Sequence, residues 1–229
     1  MKPRKVFAAA VLFLALTSLM CVSAQAQQAQ PQSESKLLSL RVNNLKLEAQ
    51  NLHMLLVQLS EKASIPVGFE VSPKDDLSLT KRFKVQIEHG MLTDVLDAIV
   101  LQDPVYTWRI RDGVVNIFPQ ECCRDPLLKE LLSTKLEKFS IKRGLGKIGF
   151  RLNLSNHQAV KALLDRFRVV QDNQTFMSRD VTPLGRNYEL KVADVTVGEL
   201  LNRVIRESQT KYWITQRYGE HRQFFVVNL

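Results

Sequence analysis

The chain has 229 residues, 45% of them hydrophobic and 24% charged, with a formal net charge of +9. That is an ordinary composition for a globular protein. Three cysteines in this length exclude a disulfide framework, so hydrophobic cores must hold the fold.

The N-terminus reads as an export signal. Lys2, Arg4 and Lys5 precede an apolar run from Val6 to Met20, and Ala24-Gln25-Ala26 supplies the small-x-small pattern of a cleavage site, placing cleavage after Ala26. The run is too short for a permanent span, and no later stretch approaches the ~20 apolar residues that crossing a membrane requires. Cys21 would suit a lipoprotein, but Leu19 and Met20 before it are not the small residues that such processing needs. Without the three basic residues of this segment the formal charge falls to +6. A surplus of that size favours anionic lipid, polysaccharide or acidic protein, and also fits a merely solvated basic surface. Export argues against nucleic acid as a partner.

Residues 27–39 are polar and Gln-rich, as in a flexible leader. From Leu45 the pattern sharpens: Leu45, Leu47 and Ala49 alternate as in a half-buried strand. Asn51 is placed to cap a helix whose apolar positions are Leu52, Leu55, Leu56 and Leu59. A short strand over Pro66–Val71, a loop over Ser72–Leu79 and a strand through Phe83, Val85 and Ile87 follow. A second helix spans about Met91–Leu101. Two strands then flank Asp112-Gly113, a strong hairpin signal. Asp125-Pro126 opens a leucine-rich helix that serves as a helical linker over 120–144.

The sequence then repeats itself. Phe83–Trp108 lies without a gap over Tyr188–Trp213, and Val114–Ile117 recurs as Val226–Leu229. In the second copy Phe150, Leu152 and Leu154 are expected to form the first strand, and Thr196-Val197-Gly198-Glu199 is a capping box. His157 and Lys161 stand where the first copy has Leu52 and Leu56. The expected fold is α+β: two small β-α-β-β-α-β-β units of split-βαβ type in tandem, over 40–119 and 145–229.

Leu45-Lys-Leu-Glu-Ala-Gln-Asn-Leu52 with Leu55, Leu56 and Leu59, then Ile65-Pro-Val-Gly-Phe69, the Phe83–Ile87 strand, the helix bearing Asp94-Val95-Leu96 and the closing hairpin resemble the short N-terminal (STN) domain of secretins and TonB-dependent transducers. The resemblance covers about Leu45–Phe118 well and Phe150–Leu229 weakly. It implies a periplasmic or outer-membrane-associated module that docks other proteins: an outer-membrane channel or receptor, or an inner-membrane regulator. With Leu229 ending the last strand, the chain reads as the docking piece without barrel or pore. Leu101-Gln102-Asp103-Pro104 departs from the family, which usually turns on glycines there.

Catalytic signatures are missing. His53, His89, His157 and His221 are scattered, with no metalloprotease, nucleophile-elbow or phosphate-loop setting. His53 reads as a surface or capping residue, and Asp75-Asp76 as a solvated turn. Cys122 and Cys123 are either free thiols or a disulfide, within the pair or to another chain. No catalytic, cofactor or metal residue is assigned. Trp108 and Trp213 read as core-closing residues, with an outward ligand-anchoring role as the alternative. The expected function is a non-enzymatic envelope adaptor binding through a sheet edge or helix face. The alternative is a binder of an anionic envelope polymer or polysaccharide through Lys81-Arg82, Lys142-Arg143 and Lys147. The oligomeric state is left open.

Overall fold

The computed structural model describes residues 34–75, 81–143, 150–151, 154–171, 188–208, 211–218 and 223–228. The fold is α+β. Its first half runs β1 (Arg41–Ala49), α1 (Leu52–Ala63), β2 (Val67–Glu70), β3 (Phe83–Met91), α2 (Leu92–Gln102), β4 (Tyr106–Arg111) and β5 (Val114–Pro119). Local chemistry sets most of these boundaries. The Asn51 side chain accepts from the Met54 amide at 2.9 Å, satisfying a donor that the helix start leaves unpaired. At the far end Ser64 turns left-handed (φ 52°), with Ser64 N–H donating to Glu61 O and Ile65 N–H to Ser60 O, a Schellman closure. The β4–β5 turn places Asp112 and Gly113 at φ 55° and 70°, the two positive values that a two-residue type I′ hairpin needs.

The second half comprises α3 (Pro126–Ser133), β6 (Lys135–Arg143), β7 (Phe150–Arg151), α4 (Gln158–Phe167), β8 (Val170–Gln171), β9 (Tyr188–Thr196), α5 (Val197–Glu207), β10 (Tyr212–Tyr218) and β11 (Gln223–Asn228). Three sequence expectations need correction. The linker over 120–144 is helical only as far as Ser133, apart from a 3-10 turn at Glu121–Cys123, and Lys135–Arg143 is a strand. That strand pairs antiparallel with β9 as β1 does with β3, whereas Phe150–Arg151 pairs with β11. Its Lys, Glu and Ser positions hide the alternation, and pairing with β9 buries Leu136. Part of the leader is also ordered: residues 34–38 are helical, Leu37 and Leu40 pack on the first core, and the Glu34 carboxylate accepts from Asp112 N–H at 2.9 Å.

The pairings of β1 with β3, β4 with β5 and β2 with β5 recur as β6 with β9, β10 with β11 and β8 with β11. The halves are not separate sheets, however. Strand β2 also pairs in parallel with β10, from Val67–Tyr212 to Glu70–Thr215. One seven-stranded sheet therefore runs β4-β5-β2-β10-β11-β7, with β8 also on β11. Its faces carry different cores. Phe69, Val115, Ile117, Tyr212 and Ile214 join the core made by α1 and α2. Val114 and Trp213 join the core made by α3, α4 and α5. Each core thus takes buried residues from the other half.

The closest approach at this seam is a tryptophan on a glycine. A Cβ at Gly68 would lie 2.2–2.5 Å from indole atoms of Trp213, so only glycine leaves room for the ring. The indole N–H of Trp213 donates to Asn202 Oδ1 at 2.9 Å, and its counterpart Trp108 donates to Asp97 Oδ1 at 2.8 Å. Trp213 is buried; Trp108 is only partly covered. Across the other face His53 stacks on Tyr212, ring centroids 5.5 Å apart. His53 is therefore not the surface residue expected from sequence. Its Nε2 is buried without a hydrogen-bond partner among the described residues.

Two outcomes follow. Gly68→Ala should cost about 1–3 kcal/mol in urea unfolding, the usual penalty for overpacking, and the wild-type chain should unfold in one transition; two separable transitions would contradict the shared sheet. Desolvation holds the His53 pKa below its ordinary 6.5, so acid favours the unfolded chain, which takes up this proton first. Stability from this residue should be flat above pH 6.5 and fall below it, and His53→Phe should flatten that limb in thermal melts between pH 5 and pH 7.

Candidate functional site

The face of the sheet that carries Trp213 opens beside α3 and α5 into a cleft of about 210 Å³. Alternation along β4 sends Arg109 and Arg111 to this face, and β2 contributes Glu70. Arg124 enters from the turn after β5 and Lys129 from α3; Gly198 and Asn202 line it from α5. Gly198 belongs to the first turn of α5, which is closed by the expected capping box: Thr196 N–H donates to Glu199 at 2.8 Å, and the Glu199 amide donates to the Thr196 hydroxyl at 3.2 Å.

At the floor lies a buried ion pair. Arg124 donates to Glu70 through Nε at 2.7 and 3.0 Å and through Nη2 at 2.6 Å. Glu70 is 1% exposed. Its burial raises the carboxyl above the usual carboxylate range, and Arg124 opposes that shift without cancelling it. Two guanidinium groups lie over the Phe118 ring, that of Arg109 at 4.7 Å and that of Arg124 at 5.5 Å. Most of the cations here are engaged. Arg111 meets Glu199 at 2.7 Å, and Lys129 meets Glu121. Arg109 has no ion pair among the described residues. Desolvation, then repulsion from Arg111 and Arg124, pulls its pKa below the ordinary arginine value.

The cleft borders a sheet edge, because among the described residues β4 has a strand neighbour on one side only. The outer sides of the β1–β3 ribbon, by contrast, are plugged. Gln58 accepts from Glu48 N–H at 3.2 Å and donates to Glu48 O at 2.9 Å. Gln102 does the same to Lys84, at 3.0 and 3.1 Å. Glu48 and Lys84 face each other across β1 and β3, so the two glutamines occupy both outer sides of that ribbon, where strands otherwise invite pairing.

The residues singled out from sequence do not converge. Cys122 and Cys123 are free thiols on the 3-10 turn; the Cys122 thiol pushes that of Cys123 up. His89 bonds Asn43, His157 sits at the start of α4, and His221 lies outside the described residues. Asp75 is no solvated turn residue, since it accepts a short hydrogen bond from buried Tyr106; Asp76 lies outside the described residues. Lys81 pairs with Asp103 at 2.9 Å and Arg82 with Glu48 at 2.6 Å. Lys142 is exposed on β6, while Lys147 and Ala26 lie outside the described residues. Among the described residues no group of three His, Cys, Asp or Glu is arranged to hold a metal. Sequence reading passed over Glu70, Arg109, Arg111 and Arg124. The available signals were a glutamate inside an apolar strand and arginines at alternate positions of Tyr-Thr-Trp-Arg-Ile-Arg.

Known families, curated proteins and solved structures offer no match to this chain. Among the described residues no helix is long and apolar enough to cross a membrane.

Arg124→Met would strand Glu70 in the interior and should cost about 3–5 kcal/mol, whereas a double replacement with Glu70→Leu should recover most of that loss. Equal destabilisation of the single and double variants in urea titrations would show that the pair does not act as a unit.

Proposed function

We propose that this chain is an exported, non-enzymatic docking module of the bacterial cell envelope, in the manner of the STN domains that its first half resembles. The observation that carries this reading is the open edge of β4. An edge strand offers unpaired backbone N–H and C=O groups that a partner's extended segment completes. In this molecule the β1–β3 ribbon has glutamine amides on both outer sides, while β4 has no strand beyond it among the described residues. Trp108 and Ile110, half-buried on one face of β4, and the arginines on the other give an added strand two chemically distinct sides.

Binding of an anionic polymer through Lys81 and Arg82 has less support, since both side chains are already paired with carboxylates. The partner in this reading is an envelope protein, a channel, receptor or membrane-bound regulator, and the site of action is the periplasm or the periplasmic side of the outer membrane.

In the full chain expressed in its own cells, a photo-crosslinking residue at Thr107 of β4 should capture one envelope protein, and the same probe at Lys46 of β1 should not. Equal labelling from both positions would remove the edge as the docking site.

A further inference from the structure

The chemistry of the cleft says what kind of segment the β4 edge takes. We propose that the cleft is a carboxylate socket: a partner strand added to β4 places an aspartate or glutamate side chain against Arg109. This rests on the docking reading above and goes beyond it by assigning the partner's charge and the residue that reads it.

Charge is the first argument. Arg111, Arg124 and Lys129 are each held by an acid of this chain, and Arg109 has no such partner among the described residues. Its guanidinium stays charged and lies over Phe118 at 4.7 Å, near two other arginines. A carboxylate arriving there relieves that repulsion and can take two parallel N–H bonds from the planar fork. The N-terminus of α5, at Thr196 and Gly198, lines the same space and adds positive potential to it.

Size is the second. A volume of about 210 Å³ is below the ~300–1,000 Å³ usual for sites that enclose a small ligand. It equals roughly seven waters at ~30 Å³ each, which is room for one acidic side chain together with a few waters. The rest of the ligand therefore lies outside, along the edge.

Geometry is the third. Arg109 and Arg111 are two residues apart on the outermost strand and face the cleft together. In an added strand successive side chains alternate faces, so every second one falls on the arginine side. The one directly opposite Arg109 has its Cβ about 4.5–5.5 Å away, within reach of a charge-assisted bond. The partner segment therefore carries its acid at the position opposite Arg109, on the side chains that alternate toward the arginine face.

The test uses calorimetric titration of the full chain with three eight-residue extended peptides. The first carries glutamate at alternate positions, the second glutamine in their place, and the third is the acidic peptide N-methylated on the backbone nitrogens that would face β4. The acidic peptide should bind at least tenfold more tightly than the glutamine peptide. Arg109→Gln should erase that ratio, Arg109→Lys should keep most of it, and Lys46→Gln, an exposed cation on β1, should leave it intact. No detectable binding of the acidic peptide, equal binding of the first two, or an equal loss in Lys46→Gln would overturn the socket. Equal binding alone would leave edge docking standing. An acidic preference that survives N-methylation overturns edge pairing and keeps the socket's selectivity for carboxylate. Displacement by equimolar inorganic phosphate, or tighter binding of a phosphoserine peptide, overturns carboxylate as the occupant.

Discussion

Everything else in this molecule depends on one parallel pairing, that of β2 with β10. Four residues of β2 sit between β5 on one side and β10 on the other, and all four are buried. Parallel strands buried on both faces are expected to be apolar throughout, yet this one contains Gly68 and Glu70. The glycine is where the indole of Trp213 crosses the strand, and the glutamate is where Arg124 reaches the sheet from the turn after β5. Both residues make sense only once β10 and Arg124 are in place. The strand that joins the halves is therefore also the strand that builds the cleft floor.

Duplication of sequence has in this way produced something other than two beads. Matched features persist: the left-handed caps at Ser64 and Arg168, the acid reaching back to the helix cap at Asp94 and Glu199, and the tryptophan bonded to the helix residue eleven positions before it. Departures fall where the halves meet. Trp108 stays partly exposed near the outer edge, whereas Trp213 is enclosed at the seam. Tyr212 turns into the first half's core, and Val114 into the second's. A shared sheet of this kind fixes the relative orientation of the halves through backbone hydrogen bonds, so residues of both can line one cleft at defined positions.

The polar groups along the seam follow the same logic. Asn202 accepts from Trp213 and donates toward Arg111 O and Asp112, tying α5 to the β4–β5 turn. Arg206 donates to Asp112 O at 2.8 Å. Buried polar groups that are satisfied hold a single arrangement, because a displaced partner leaves a desolvated donor or acceptor behind. Arg109 is the contrast, a cation beside this network with no acid paired to it among the described residues.

The sequence by itself determined the short-range features. Alternation marked β1 and β3, capping residues at Asn51, Asp125 and Thr196 marked helix starts, and Asp112-Gly113 marked the hairpin, since each signal acts through neighbours a few residues apart. Self-comparison revealed the repeat for the same reason: equivalent local demands select equivalent residues. Tertiary structure alone decided the rest. Lys135–Arg143 became a strand because β9 completes its backbone pairing, against a weak pattern of its own. His53 became half-buried, with its Nε2 enclosed, because Tyr212 stacks on it. Glu70 and Arg124, 54 positions apart, and Arg111 and Glu199, 88 apart, meet only after the sheet has closed. A pair at such separations leaves no period and no motif in the chain, so its meaning lies in the pairing of β2 with β10.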